Sequence, residues 1–185
     1  MKIVGFLICW MFLLPASFLF ASPPQNFFPP ESLFLDWKIV AKDRSGVVLL
    51  ATIKSMVGTN SDLKISFEST KDLAVQPASA QVPSLAEGSQ KQFEIKVAKT
   101  GAPLNKRTGS WVHLRVEYFP DYAALQKRVI TNHLIPAGLR QKLLQEYETN
   151  QKKRKKTVAH EKFLFIYPDM TIPDGWKKYK KDDWP

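Results

Sequence analysis

The residues of this 185-residue chain that could do chemistry are few and scattered. His113, His133 and His160 are the histidines, and their spacing matches no metal-binding pattern such as His-x-His or His-x-x-x-His. His113 falls on the polar side of an alternating segment, which predicts a solvent-exposed side chain rather than a metal ligand. We therefore expect neither a metal ion nor a cofactor.

Two carboxylate pairs are the other candidates for chemistry. Asp182 and Asp183 lie among lysines close to the C-terminus, and Glu146 and Glu148 lie in a predicted helix. Glycoside hydrolysis needs two carboxylates that face each other across a cleft, one of them in an apolar setting, and neither pair indicates this. The sequence also contains no Gly-x-Ser-x-Gly motif and no phosphate-binding glycine loop. We expect no catalytic residues and no enzymatic activity.

A run of five basic residues is the first candidate for binding. It consists of Lys152, Lys153, Arg154, Lys155 and Lys156, near the end of a predicted helix. Such a run is typical of a solvated helix end, because cations there complement the helix dipole. It is equally typical of contact with an anionic polymer or membrane surface, where each cation gains roughly 1 kcal/mol. Both interpretations stay open at this stage.

An aromatic segment near the C-terminus is the second candidate for binding. Trp176, Tyr179 and Trp184 alternate with lysines there. Tryptophan and tyrosine are typical anchors for a protein partner or a sugar, so these three residues predict a contact site. The alternative is that they pack on the domain and hold the terminus in place.

The net charge of +10 is unevenly distributed. Residues 22–121 contain 12 basic and 10 acidic residues, whereas residues 122–185 contain 14 basic and 7 acidic residues. This asymmetry indicates contact with something anionic.

The first 21 residues predict export. A single Lys2 is followed by the uncharged stretch 3–21, which ends in small residues, and we expect cleavage after Ala21. The alternative is an uncleaved anchor, because about 20 apolar residues span a bilayer. Cys9 is the only cysteine, so a cleaved chain contains none and depends on its core for stability. We expect a periplasmic or secreted protein, for which lipid headgroups, acidic polymers or an acidic protein are better partners than nucleic acid.

Beyond the signal peptide and a proline-rich linker (22–32), period-two segments predict an antiparallel β-sandwich of about seven strands over 33–168. The predicted strands are 34–40, 46–56, 63–67, 73–75, 92–97, 111–119 and 161–167. Residues 121–157 break the alternation and predict a helical insertion before the last strand, with its main helix running from 137 to about 157. Residues 169–185 form the basic aromatic tail.

Part of the predicted sandwich resembles a known family pattern. An apolar strand runs into a Gly/Asn loop at 49–60, and residues 83–88 lead from a turn into a strand at 93–97. The passage is similar to bacterial fibronectin type III and adhesion-type immunoglobulin-like domains, and to clathrin-adaptor ear domains. The matching residues are Leu85, Gly88, Phe93, Ile95 and Val97. The resemblance implies an immunoglobulin-like sandwich and transfers no catalytic residues.

These observations lead to one expectation and one alternative. We expect an exported, non-catalytic binding or accessory module, a subunit or assembly factor of a cell-envelope protein complex. The alternative is a module that binds an anionic polysaccharide or membrane surface through its basic helix end.

Overall fold

The computed structural model describes residues 31–43, 45–103 and 109–165. The predicted signal peptide, most of the proline-rich linker and the C-terminal tail lie outside the described residues.

The described residues form a mainly β fold of eight strands and two helices. In chain order the elements are β1 (Leu33–Lys42), β2 (Gly46–Ser55), β3 (Asn60–Ser69), β4 (Leu73–Gln76), β5 (Ser79–Leu85), β6 (Gln90–Lys99), β7 (Ser110–Phe119), α1 (Tyr122–Thr131), α2 (Ala137–Lys152) and β8 (Thr157–Phe165). The first sheet has the order β1-β2-β6-β4, the second has the order β5-β3-β7-β8, and neighbouring strands are antiparallel. The predicted mainly β, antiparallel fold is confirmed at this level.

Strand β5 is the element that the sequence pattern missed. Pro77 lies just before it and Pro83 lies within it, and no strand was predicted between residues 75 and 92. Proline cannot donate to a β ladder, so it is tolerated mainly on edge strands. β5 is such an edge strand, and among the described strands it pairs with β3 alone.

The main core lies between the two sheets. β2 buries every second residue, namely Val47, Leu49, Ala51 and Ile53, as its alternation predicted. Aromatic rings join the sheets, because Trp37 of β1 packs 6.1 Å from Phe67 of β3 and 6.1 Å from Phe163 of β8. The fold is therefore sandwich-like, and the outer faces of the two sheets do not contribute to this core.

The two helices lie between β7 and β8, where the helical insertion was expected. They pack against each other and form a helical pair that we call the hairpin (residues 122–152). The predicted end of the second helix near residue 157 was wrong, because α2 ends at Lys152 and β8 begins at Thr157.

Candidate binding surface on the helical hairpin

The hairpin is anchored to the sandwich at the start of α1. Asp121 caps this helix by accepting a hydrogen bond from the Ala124 N–H at 3.0 Å. Its other carboxylate oxygen accepts from the Thr59 N–H, in the loop between β2 and β3, at 3.2 Å. Gly58 in the same loop has a φ of +61°, and a Cβ there would lie 2.5 Å from the Cβ of Asp121. The hairpin and the loop are thus too close to admit a side chain at residue 58.

A second hydrophobic cluster, separate from the sandwich core, fixes the hairpin. Its buried members are Val57, Tyr122, Leu125, Val129, Ile135, Leu143 and Tyr147. The rings of Tyr122 and Tyr147 are 6.1 Å apart, and burial raises the pKa of the Tyr147 phenol. The Tyr122 hydroxyl donates to the Lys155 carbonyl at 2.7 Å. This bond ties the start of α1 to the segment that follows α2.

The predicted basic run divides into engaged and exposed residues. Lys152 pairs with Glu148 at 2.6 Å, one helical turn away. Lys156 pairs with Asp62 at 2.8 Å and with Glu117 at 3.5 Å. The hydrogen bond with Asp62 is the main reason that the pKa of Lys156 is raised and that of Asp62 is lowered. Lys156 therefore ties the segment between α2 and β8 to strands β3 and β7 of the second sheet.

The three central residues of the run form an exposed loop, which we call the basic loop (residues 153–155). Lys153, Arg154 and Lys155 make no ion pair with any residue in the described ranges. The Lys155 N–H donates to the Asn150 carbonyl at 2.9 Å, and the Arg154 N–H donates to the Gln151 carbonyl at 3.0 Å. This pair of bonds is the Schellman ending of a helix, in which the left-handed position is usually glycine. Here Arg154 occupies it with a φ of +47°.

The two histidines of the second sheet correct one prediction. His113 was expected to be exposed, but its relative exposure is 4%. Its Nε2 lies 3.0 Å from Nδ1 of His160, and its Nδ1 lies 3.5 Å from a carboxylate oxygen of Glu68. The alternation of β7 did assign His113 to the outer face, but residues of β3 and β8 flank it there.

Burial lowers the pKa of His113, and the nearby Glu68 carboxylate opposes that effect. Within the described ranges, no group of three or more His, Cys, Asp or Glu side chains has an arrangement that could hold a metal ion. His133, by contrast, is exposed in the turn between the helices.

The remaining sequence candidates are not brought into one site. Glu146 and Glu148 are exposed on α2. Asp182, Asp183, Trp176, Tyr179 and Trp184 lie outside the described residues, so the proposed aromatic contact stays a prediction.

The turn between α1 and α2, which we call the tip (residues 130–136), was not predicted as a site. Leu134 has a relative exposure of 80% and Ile130 of 56%, the highest among the exposed large hydrophobic residues of the described ranges. The nearby cations Lys127, Arg128 and Lys142 are also exposed. The tip could have been recognised in the sequence by the adjacent apolar residues Leu134 and Ile135, which are flanked by basic residues and have no acidic residue nearby.

The charge excess of the C-terminal third lies in the hairpin and the segment just after it. Residues 122–156 contain nine basic and two acidic residues, whereas residues 166–185 contain four of each. The segment 122–145 contains Lys127, Arg128, Arg140 and Lys142 but no Asp or Glu. The charge excess is therefore concentrated in residues 122–156, whereas residues 169–185, which were expected to form a basic tail, contain four basic and four acidic residues and carry no net charge.

A scan against protein-family models finds no match for the chain, and a search of curated proteins finds no significant relative. Among the described residues, no helix combines the length and the hydrophobicity needed to cross a membrane.

Proposed function

We propose that the chain is an exported, non-catalytic binding or accessory module, a subunit or assembly factor of a cell-envelope complex that acts through its hairpin. The observation that carries the proposal is the hairpin itself. It has its own core and is fixed to the sandwich, yet it leaves two large apolar side chains exposed among cations. Large apolar side chains that are exposed close together and rimmed by polar groups are typical of an interaction site.

The order of the strands supports an immunoglobulin-like type for the sandwich. Immunoglobulin constant-type domains have the sheets A-B-E-D and C-F-G. With β1, β2, β3, β4, β6, β7 and β8 taken as A to G, the two sheets follow this order, and β5 is an additional edge strand beside C. The hairpin then replaces the F–G loop, which in variable domains belongs to the binding end. The analogy with variable domains supports the location of the proposed binding surface. The chemistry of that surface follows from the residues of the hairpin itself.

Export remains part of the proposal through the predicted signal peptide at 1–21. A cleaved signal gives a periplasmic or secreted protein, and an uncleaved one gives a membrane-anchored protein with the same exposed domain. The complementary surface is anionic, because residues 122–156 contain nine basic residues against two acidic ones.

Site-specific photocrosslinking in cells tests whether the hairpin is the contact surface. A photoreactive amino acid at position 134 should give a defined adduct, whereas the same group at Gln92, exposed on the first sheet, should not. Both positions are exposed, so neither substitution should disturb folding. Adducts of equal yield from both positions, or none from position 134, would contradict the proposal.

Binding of an anionic polysaccharide or membrane surface through the basic loop is a second candidate function. The observation in its favour is Arg154, a charged residue in a left-handed position where glycine is less strained. On immobilised heparin, replacing residues 153–155 with glutamine should lower the salt needed for elution. The matched control replaces Lys38, Lys91 and Lys96, three exposed lysines of the first sheet, with glutamine. Equal elution of the two triple variants would exclude this function.

A further inference from the structure

The tip of the hairpin is a fixed turn and not a frayed end. Asn132 organises it, since its side-chain oxygen accepts from the Leu134 N–H at 3.0 Å and its carbonyl accepts from the Ile135 N–H at 3.3 Å. The Arg140 guanidinium donates to the carbonyls of Asn132 and Ile135, at 3.3 Å and 3.0 Å. These bonds bury Ile135 while its neighbour Leu134 stays 80% exposed. The outward position of Leu134 is thus built into the turn.

Exposed cations flank the tip along both helices. Lys127 and Arg128 lie within the last two turns of α1, and Lys142 lies in the second turn of α2. At 1.5 Å per residue, these positions are within about 8 Å of the helix ends along the axis. That distance is comparable to the screening length of about 8–10 Å at physiological salt, so the cations and the apolar side chains act on the same surface.

We propose that the tip binds an anionic lipid bilayer, with Ile130 and Leu134 inserted among the headgroups and Lys127, Arg128 and Lys142 neutralising lipid phosphates. Apolar side chains surrounded by cations match the interfacial zone of such a bilayer. A bilayer also adapts to a narrow tip without needing a complementary groove.

This inference rests on the proposed function, because it names the partner of the same hairpin. It also differs from binding through the basic loop. That loop lies at the other end of α2, a 16-residue helix about 24 Å long. The two surfaces can therefore be altered independently.

Co-sedimentation with vesicles tests the inference on the full exported chain. The probes are vesicles of pure phosphatidylcholine and vesicles in which about one quarter of the lipid is phosphatidylglycerol. Binding should require phosphatidylglycerol and weaken as salt rises. Ile130→Ser and Leu134→Ser should each reduce the partition coefficient about tenfold. Replacing Lys127, Arg128 and Lys142 with glutamine should reduce it about a hundredfold.

One control matches the substitutions of apolar side chains, and a second control matches the substitution of the cations. Val40→Ser removes a 48% exposed apolar side chain from β1 and should leave vesicle binding unchanged. The glutamine variant of Lys38, Lys91 and Lys96 lowers the net charge by the same amount as the tip variant and should bind more tightly than it does.

Two results would overturn the inference. One is undiminished vesicle binding by all three tip variants, together with a loss of binding when residues 153–155 are changed, which would assign the lipid contact to the basic loop. The other is the absence of binding to phosphatidylglycerol together with a protein adduct at position 134 in cells. That second result leaves the proposed function standing, whereas the absence of any adduct at position 134, either to a protein or to a lipid, removes the proposed function itself.

Discussion

Replacing Gly58 with alanine should weaken the attachment of the hairpin to the sandwich. Gly58 has a φ of +61°, and the left-handed conformation costs a non-glycine residue about 1–2 kcal/mol. The added Cβ would also lie 2.5 Å from the Cβ of Asp121 and 2.6 Å from that of Ala124. Carbon atoms prefer about 3.5–4.0 Å, so the hairpin must shift by about 1 Å, and such overpacking costs about 1–3 kcal/mol. The expected loss in the free energy of unfolding is about 2–5 kcal/mol.

Gly88→Ala is the matched control for this prediction. Gly88 has a φ of +76°, but nothing lies within 4 Å of the position its Cβ would occupy. The control therefore carries the conformational cost of about 1–2 kcal/mol without the steric one, and the effect of alanine on the unfolded chain is common to both variants. Urea unfolding at equilibrium measures the difference, expected at about 1–3 kcal/mol. Equal losses for both variants, within about 0.5 kcal/mol, would refute the close contact between the loop and the hairpin.

Three further predictions concern Arg154, His113 and Tyr118. Arg154→Gly should raise the free energy of unfolding by about 1 kcal/mol, because glycine adopts a φ of +47° without strain. The same variant should lower the salt concentration needed for elution from heparin. A lower stability of the variant in urea would contradict the predicted relief of strain. In the folded protein the pKa of His113 is lowered from 6.5, so on acidification the unfolded chain takes up this proton at a higher pH than the folded protein does. The contribution of His113 to stability should therefore be fully present above pH 6.5 and fall as the pH drops further. His113→Gln should flatten this pH dependence in urea unfolding, and an unchanged pH dependence would contradict the prediction. Burial is the main reason that the pKa of Tyr118 is raised from 10.0 to about 12, so the free energy of unfolding should decrease by about 2 kcal/mol as the pH rises from 10 to 12. A Tyr118→Phe variant with the same alkaline slope would exclude this cause.

The strand pattern was predictable where one face of a strand is buried in the core. β2 and β7 show this most clearly, because each combines an apolar inner face with a more polar outer one. β5 was missed because Pro83 weakens the local signal, and the strand depends on its pairing with β3. Local sequence carries little information about such pairing.

The candidate site was only partly predictable from the sequence, because its contacts also depend on residues that local sequence does not reveal. The basic run was visible in the sequence, but the ion pairs of Lys156 with Asp62 and Glu117 join residues far apart in the chain. The burial of His113 likewise depends on residues from β3 and β8. The tip escaped prediction because Leu134 and Ile135 are adjacent and equally apolar, and the hydrogen bonds of the turn decide which of them faces outward.

The place of the hairpin also affects how the protein folds. β8 must pair with β7 across the segment 120–156, and closing a flexible loop of that length has an entropic cost. The hairpin closes most of this loop with contacts between residues near in sequence, and the Tyr122–Lys155 hydrogen bond brings the two ends together. We therefore expect the hairpin to form early and to bring β8 close to β7. Mutations that loosen it should slow refolding more than they accelerate unfolding.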